Sequence, residues 1–297
     1  MAISEEQLSS WTNPPSDGEE ERVENAIAMV KDAINSDDKL KNLDLDIFCQ
    51  GSYANNTNVR LDSDVDVNVL YNGTYYWNLP QNTTKDMFPT LMQDPPASYS
   101  FWNLKDDVEK ALKNKFGSVI RKNKCLHISE NSYHTEIDVV PTCQHRWYRK
   151  DGTHVKGVAL FTDSDNKKVV NYPKQHIENG IQKNLETSKR FKKLVRIFKK
   201  TRYDMQDNRI PINSKITSFL LECLVWNCPN SIFNNNSWRD RFQGAIYHIW
   251  ENTKTYELCK EWGEVSELLY LFHTERKWTY ADVNQCMSQM FNYVFRG

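Results

Sequence analysis

The sequence predicts an α+β protein, a mixed sheet in the first half and helices in the second, with the boundary near residue 172. VDVNVLY alternates with the period of two expected of a strand, and HTEIDVVPT also reads as one. From His176 onward the period changes, and Phe191, Leu194, Val195 and Phe198 follow the i, i+3, i+4, i+7 spacing of a helix face. With 297 residues the chain can build one large core or two modest domains. The division expected is 1–172 and 173–297, with a ligand cleft between the two lobes.

The elements follow in order. The segment WTNPPSDGEEERVENAIAMVKDAI reads as a helix capped by Ser16 or Asp17, with Val23, Ile27, Val30 and Ile34 as its apolar stripe. LDLDIFCQGS is a short strand entering a Gly-Ser turn, and VDVNVLY is the next strand. Leu104 to Phe116 forms an amphipathic helix stopped by Gly117. SVIRKNKCLHIS and HTEIDVVPT add strands, the second ended by Pro141, and Gln144 to Tyr172 gives strand pieces and loop. Later helices are expected near Ser214–Trp226, Trp238–Asn252, Val265–Phe272 and Asp282–Phe295.

Composition removes several classes of function. A net charge of -1 gives no whole-molecule electrostatic grip on nucleic acid, although a local basic groove stays open. Seven cysteines, an odd number without a CxxC pair, argue against a disulfide framework and a structural zinc. No apolar run approaches the ~18 residues of a membrane span. The N-terminal MAISEEQLSS is unlike a signal peptide, so a cytoplasmic protein is expected.

The chemistry lies in GSYANNTNVRLDSDVDVNV, residues 51 to 69. Asp64 and Asp66 are two apart on a strand and leave the same face. Asp138 sits in TEIDVVPT, and if the two strands are neighbours, three carboxylates converge at one end of the sheet. Such a cluster is unfavourable without cations, and Mg²⁺ takes carboxylate and phosphate oxygens at about 2.0–2.1 Å. Two ions can activate an attacking hydroxyl and stabilise departing pyrophosphate, with Asp138 placed to help deprotonate the nucleophile. Gly51 lets the backbone approach a phosphate, Ser52 offers hydroxyl and amide donors, and YANNTNV can open a short helix facing the same anion.

This pattern resembles the polymerase-β-like nucleotidyltransferases. Within them the chain is similar to the bacterial relatives of cyclic GMP–AMP synthase and oligoadenylate synthase, the CD-NTases, and most of all to their clade E. The helix leader WTNPPSDGEEERVENAIAMVKDAI, the lobe entry NYPKQHIENGIQKN and the segment ITSFLLECLVWN carry the resemblance, which spans about residues 10 to 295. It implies a nucleotidyltransferase sheet lobe followed by a helical lobe. Asp64, Asp66 and Asp138 would hold two Mg²⁺, with Mn²⁺ an alternative, and Gly51 and Ser52 the terminal phosphates. Lys193 and Ser218 would reach the donor triphosphate, and Phe219 matches a position that stacks on a base. Uridine-preferring relatives carry an asparagine near the lid entrance, for which Asn171 and Asn179 are both candidates.

The resemblance further implies a monomer joining UTP, ATP or GTP into a cyclic di- or trinucleotide. That product would switch on an effector in CBASS antiphage defence, with neither a membrane nor a long DNA duplex as partner. The alternatives are transfer of nucleotides to an RNA end, a small molecule or a protein, and a catalytically inactive nucleotide-binding scaffold. Of the eight basic residues among the fourteen from Lys189 to Arg202, most are expected to form a solvated face, with Lys193 and Arg196 the exceptions that would supply positive charge to the triphosphate. His176 is expected in a structural or base-contacting role, Glu136 as a flank to Asp138, and the terminal Gly297 as an ordinary chain end rather than a conjugation site.

Overall fold

A computed structural model describes residues 2–14, 17–59, 64–92 and 98–296. Ser16, one of the two expected caps, and Gly297 lie outside the described residues. Along the chain come α1 (Glu5–Ser10), α2 (Asp17–Asn35), β1 (Leu45–Gln50), the single turn α3 (Gly51–Ala54), β2 (Val65–Asn78), α4 (Pro89–Met92) and α5 (Phe101–Phe116). Strands β3 (Ile120–Arg121), β4 (Leu126–Ile128), β5 (Ile137–Tyr148), β6 (His154–Phe161) and β7 (Lys168–Asn171) follow. The rest is helical: α6 (Pro173–Glu186), α7 (Phe191–Asp207), α8 (Ser218–Trp226), α9 (Trp238–Asn252), α10 (Tyr256–Cys259) and α11 (Tyr280–Phe291). Among the described residues no helix is long and apolar enough to cross a membrane.

The chain forms two compact units, Ser16–Ala54 with Arg60–Lys174, and Met1–Pro15 with Asn55–Val59 and Gln175–Gly297. In the first, β1 pairs antiparallel with β2, β2 parallel with β5, and β5 antiparallel with β4 and β6. Strand alternation sorts the side chains. Val65, Val67, Val69, Ile137 and Val139 are buried with Val23, Val30 and Ile34 of α2 and Leu104, Val108 and Leu112 of α5. Each such buried aliphatic side chain contributes about 1.5–3 kcal/mol. The opposite sheet face carries Asp66, Asn68, Asp138 and Thr142, so the α2/α5 core anchors a polar working surface.

Helix α5 starts three residues earlier than expected, at a capping box in which Ser100 and Asn103 satisfy each other's backbone N–H groups. Pro141 does not end its strand. It lies within β5, opposite Val69, beyond the end of β4 at Val139 and before β6 begins at Cys143. One edge of β5 is unpaired there, so a missing N–H costs no ladder bond.

The second unit packs Leu194, Val195 and Phe198 of α7 with Leu220, Leu221 and Leu224 of α8, Phe242 and Ile246 of α9, and Met287 of α11. Two short early segments belong to it: Leu8 and Trp11 of the first join its apolar core, and both segments make polar contacts with it. Glu5 accepts from the backbone N–H groups of Trp238 and Arg239 at the start of α9, both at 2.8 Å. Buried Arg196 donates to the carbonyls of Thr12 and Asn56, at 2.6 and 2.5 Å.

The helix expected over Val265–Phe272 is absent. Glu264 N bonds Leu269 O, Leu271 N bonds Trp262 O, and Glu267 has φ 58°, so the segment is a looped turn. Val265, Leu271 and Phe272 are buried, Leu268 and Leu269 only partly so, and Tyr270 is exposed. Helix α8 begins at Ser218 rather than near Ser214, because Thr217 caps it by accepting from Leu220 N. Helix α11 stops at Phe291 and passes into one π-helical turn, Asn292–Arg296.

Candidate active site

The parallel pairing of β2 with β5 sets Asp66 directly opposite Asp138, and the antiparallel pairing of β1 sets Gln50 on the other side of Asp66. Asp64 precedes β2 by one residue, where Val65 N bonds Glu136 O at 2.9 Å and starts the register. The three aspartates are electrostatically joined. Burial, then contact with the Glu136 carboxyl and the charges of Asp138 and Glu136, push Asp64 up to about 6. Burial, then the charges of Asp138 and Asp64, push Asp66 up to about 7. Glu136, expected as a flank, therefore leans onto Asp64.

Lys122 partly offsets this charge, and His127 adds a polar contact. Lys122 Nζ donates to Asp138 Oδ1 at 3.2 Å, and His127 Nδ1 lies 2.8 Å from the same oxygen. The nearby thiols add no charge, since burial and the adjoining aspartates push Cys49 up to about 11 and Cys125 up to about 12. Beneath the site, Asn68 donates to Gln50 at 3.0 Å and accepts from Thr142 at 2.7 Å, which makes a buried polar floor.

Gly51 follows β1 at φ +69°, and a Cβ there would stand 2.2 Å from Asp66 Oδ2. The missing side chain thus makes room for a carboxylate, a reason that the sequence reading, which assigned the glycine to phosphate approach, did not contain. Ser52 is the next residue of the one-turn helix.

Asn171 closes β7 opposite Val158, which is opposite Gln144. Gln144 is six residues past Asp138 on β5, so Asn171 shares the sheet face of the aspartates, and its side chain is exposed. Asn179 belongs to the helical unit and donates its amide to Val265 O at 2.8 Å.

In that unit Ser218 opens α8, 3.5 Å from the Tyr203 hydroxyl. Lys193 is exposed and precedes Tyr203 by ten residues, about 15 Å along the helix. Lys200, which sequence reasoning did not single out, lies on the same side of α7 and only three residues before Tyr203. Burial and the Arg196 charge hold it below the usual lysine range. Arg196 itself is committed to backbone carbonyls, contrary to expectation.

Phe219 is 38% exposed, its ring 5.8 Å from that of His176 and 6.4 Å from that of Trp278. Behind it, His176 Nε2 meets Glu222 Oε1 at 3.1 Å, while Lys199 and Thr57 each donate to Glu222 Oε2 at 2.8 Å. Glu222 and Lys199 escaped notice in the sequence because their partners lie far along the chain.

Comparison with known proteins bears on the whole of this arrangement. Residues 178–295 match the cGAS/DncV-like nucleotidyltransferase C-terminal helical domain. The chain is 50% identical to the cyclic dipyrimidine nucleotide synthase CdnE of Cecembia lonarensis, over 98% of each chain. It is 34% identical to the cyclic dipurine nucleotide synthase of Elizabethkingia meningoseptica, over 99% of each. The solved Rhodothermus marinus CdnE c-UMP-AMP synthase with Apcpp and Upnpp superposes with a TM-score of 0.85 at 27% identity, covering 98% of this chain and 96% of that one. The chain belongs to the CD-NTase family of cGAS/DncV-like nucleotidyltransferases, on its CdnE branch.

Proposed function

We propose that this nucleotidyltransferase joins nucleoside triphosphates, UTP first among them, into a cyclic dipyrimidine signal. The observation that carries the chemistry is the register of Asp66 against Asp138 with Asp64 one step upstream. The pyrimidine choice is supported by the identity to a cyclic dipyrimidine synthase along the whole chain.

The donor set fits hard divalent cations. Asp64 and Asp66 are pushed up to about 6 and about 7 by burial and by neighbouring carboxylates, which a cation would offset, and their ligand atoms are carboxylate oxygens. In this reading Asp64, Asp66 and Asp138 hold two Mg²⁺, which when bound polarise the α-phosphate and neutralise the leaving pyrophosphate. Lys122 and His127 hold Asp138 through its Oδ1, and Asp138 helps to remove the proton of the acceptor hydroxyl. Gly51 keeps the backbone clear of Asp66, and Ser52 donates to the terminal phosphates. Lys193, Ser218 and Lys200 bind the donor triphosphate, Phe219 stacks on its base, and Asn171 reads a base edge with one donor and one acceptor.

Residues 1–172 would then carry the chemistry and 173–297 nucleotide recognition. The enzyme would act as a cytoplasmic monomer whose product switches on an effector in antiphage defence. Incubation with radiolabelled NTPs and Mg²⁺, with no acceptor added, tests this. A phosphatase-resistant product with the mass of a cyclic dipyrimidine is expected. Label incorporated only when RNA or protein is supplied would overturn it.

A further inference from the structure

We propose that His127 and Glu136 join Asp64 to form a divalent transition-metal site at the edge of the aspartate cluster, one that takes an ion of the manganese class through an imidazole nitrogen. A ring nitrogen of His127 and carboxylate oxygens of Asp64 and Glu136 lie within 4.8 Å of one another. The three come from different places, namely β4, the lead into β2 and the lead into β5. The pairings of His127 with Asp138 and of Val65 with Ile137 bring them together.

The imidazole is prepared for this role. Its Nδ1 is 2.8 Å from Asp138 Oδ1, and an ionised carboxylate only accepts, so the hydrogen resides on Nδ1. The lone pair is then on Nε2. Metal-binding histidines are oriented in this manner, with the other ring nitrogen donating to a carboxylate. At 8% exposure the ring has little freedom to turn away.

The carboxylates are placed to match. Oxygens of Asp64 and Glu136 lie within 4.8 Å of each other as well as of the ring nitrogen, a spacing that one cation can bridge. Mg²⁺ prefers an all-oxygen shell, whereas an imidazole beside two carboxylates favours Mn²⁺ and its neighbours. Asp64 is shared with the proposed catalytic set, but binding of the ion is read without any turnover.

The experiment loads the full-length protein with Mn²⁺ alone and records pulsed EPR. Coupling to a ¹⁴N nucleus is expected and should vanish in His127→Gln. Titration of free Mn²⁺ should show binding weakened about tenfold in that variant. Glu136→Gln should weaken binding while keeping the nitrogen coupling, which secures the test if His127→Gln does not fold. Wild-type protein that binds Mn²⁺ without ¹⁴N coupling, or coupling that persists in His127→Gln, would overturn the site and leave His127 as a buttress for Asp138. Nitrogen-coupled Mn²⁺ with no cyclic product would instead sink the proposed function and spare this site.

Discussion

Asp66, partly buried in the sheet unit, and Glu222, buried in the helical unit, are carboxylates whose surroundings drive them in opposite directions. Burial raises each. For Asp66 the neighbouring charges are Asp138 and Asp64, and the carboxyl is pushed up to about 7. For Glu222, the Lys199 ammonium at 2.8 Å and His176 outweigh burial and hold the carboxyl well below the usual range. A buried acid supplied with a partner cation is a strut. One set among other acids is, under the proposed function, the place for a cation and for the chemistry.

The contrast breaks first on substitution by the neutral isostere. Asp66→Asn should lower product formation by about 10³-fold or more, through loss of metal binding. The metal-free variant should melt higher than wild type at pH 8, because the amide keeps the shape and removes the repulsion. Glu222→Gln should act in reverse. It leaves the Lys199 ammonium buried and unpaired, at a cost of about 3–5 kcal/mol in urea denaturation. Stability shifts of the same sign in both variants would dissolve the distinction.

Gly51→Ala tests how tightly the Asp66 site is built. A methyl group at φ +69° and 2.2 Å from Asp66 Oδ2 must displace one or the other. A shift of about 1 Å there should cost roughly 10²-fold in turnover. Calorimetry should show bound Mg²⁺ weakened in parallel.

The pH dependence of the metal-free protein separates the two acids again. The folded values of Asp64 and Asp66, about 6 and about 7, exceed the ordinary aspartate value of about 3.9. Between about pH 4 and 7 the folded state keeps protons that the unfolded state has released, so stability falls as pH rises. The penalty is complete above about pH 7. Mg²⁺ should therefore raise Tm at pH 8 by on the order of 5 °C and do little at pH 5. Glu222 contributes the other way, stabilising at all pH above the ordinary carboxylate range and losing that only in strong acid. A flat metal-free melting curve from pH 5 to 8 would refute the sheet-unit half of the comparison.

Much of this was readable from residue order. Alternation in VDVNVLY and the strand reading of TEIDVVPT put Asp64, Asp66 and Asp138 on definable faces, because the side-chain period of a strand is invariant. Which strands are neighbours is a long-range matter, and the Asp66–Asp138 register needed coordinates. The basic run on α7 shows the limit more sharply. Periodicity separates its faces but does not tell Arg196 and Lys199, buried against residues 12, 56, 57 and 222, from exposed Lys193. Pro141 and Val265–Phe272 misled because local propensity yielded to an unpaired strand edge and to apolar packing of an irregular turn.

The smallest effect is expected at the two asparagines, one in each unit. Asn171 is exposed on the sheet face of the aspartates, whereas the Asn179 amide is occupied by the Val265 carbonyl at 2.8 Å. Replacing an asparagine that reads a base by serine removes one of two hydrogen bonds, worth about 0.5–1.5 kcal/mol, or up to roughly tenfold in selectivity. Asn171→Ser should therefore shift the ratio of uridine to purine in products made from an equimolar NTP mixture, with total turnover changed only a few-fold. Asn179→Ser should leave that ratio alone and lower Tm slightly, because a connection between α6 and the turn at Val265 is lost. Mass spectrometry of the product pool reads both variants. If the ratio moves with Asn179 and not with Asn171, base choice is made in the helical unit, and the sheet unit is left with the phosphoryl chemistry alone.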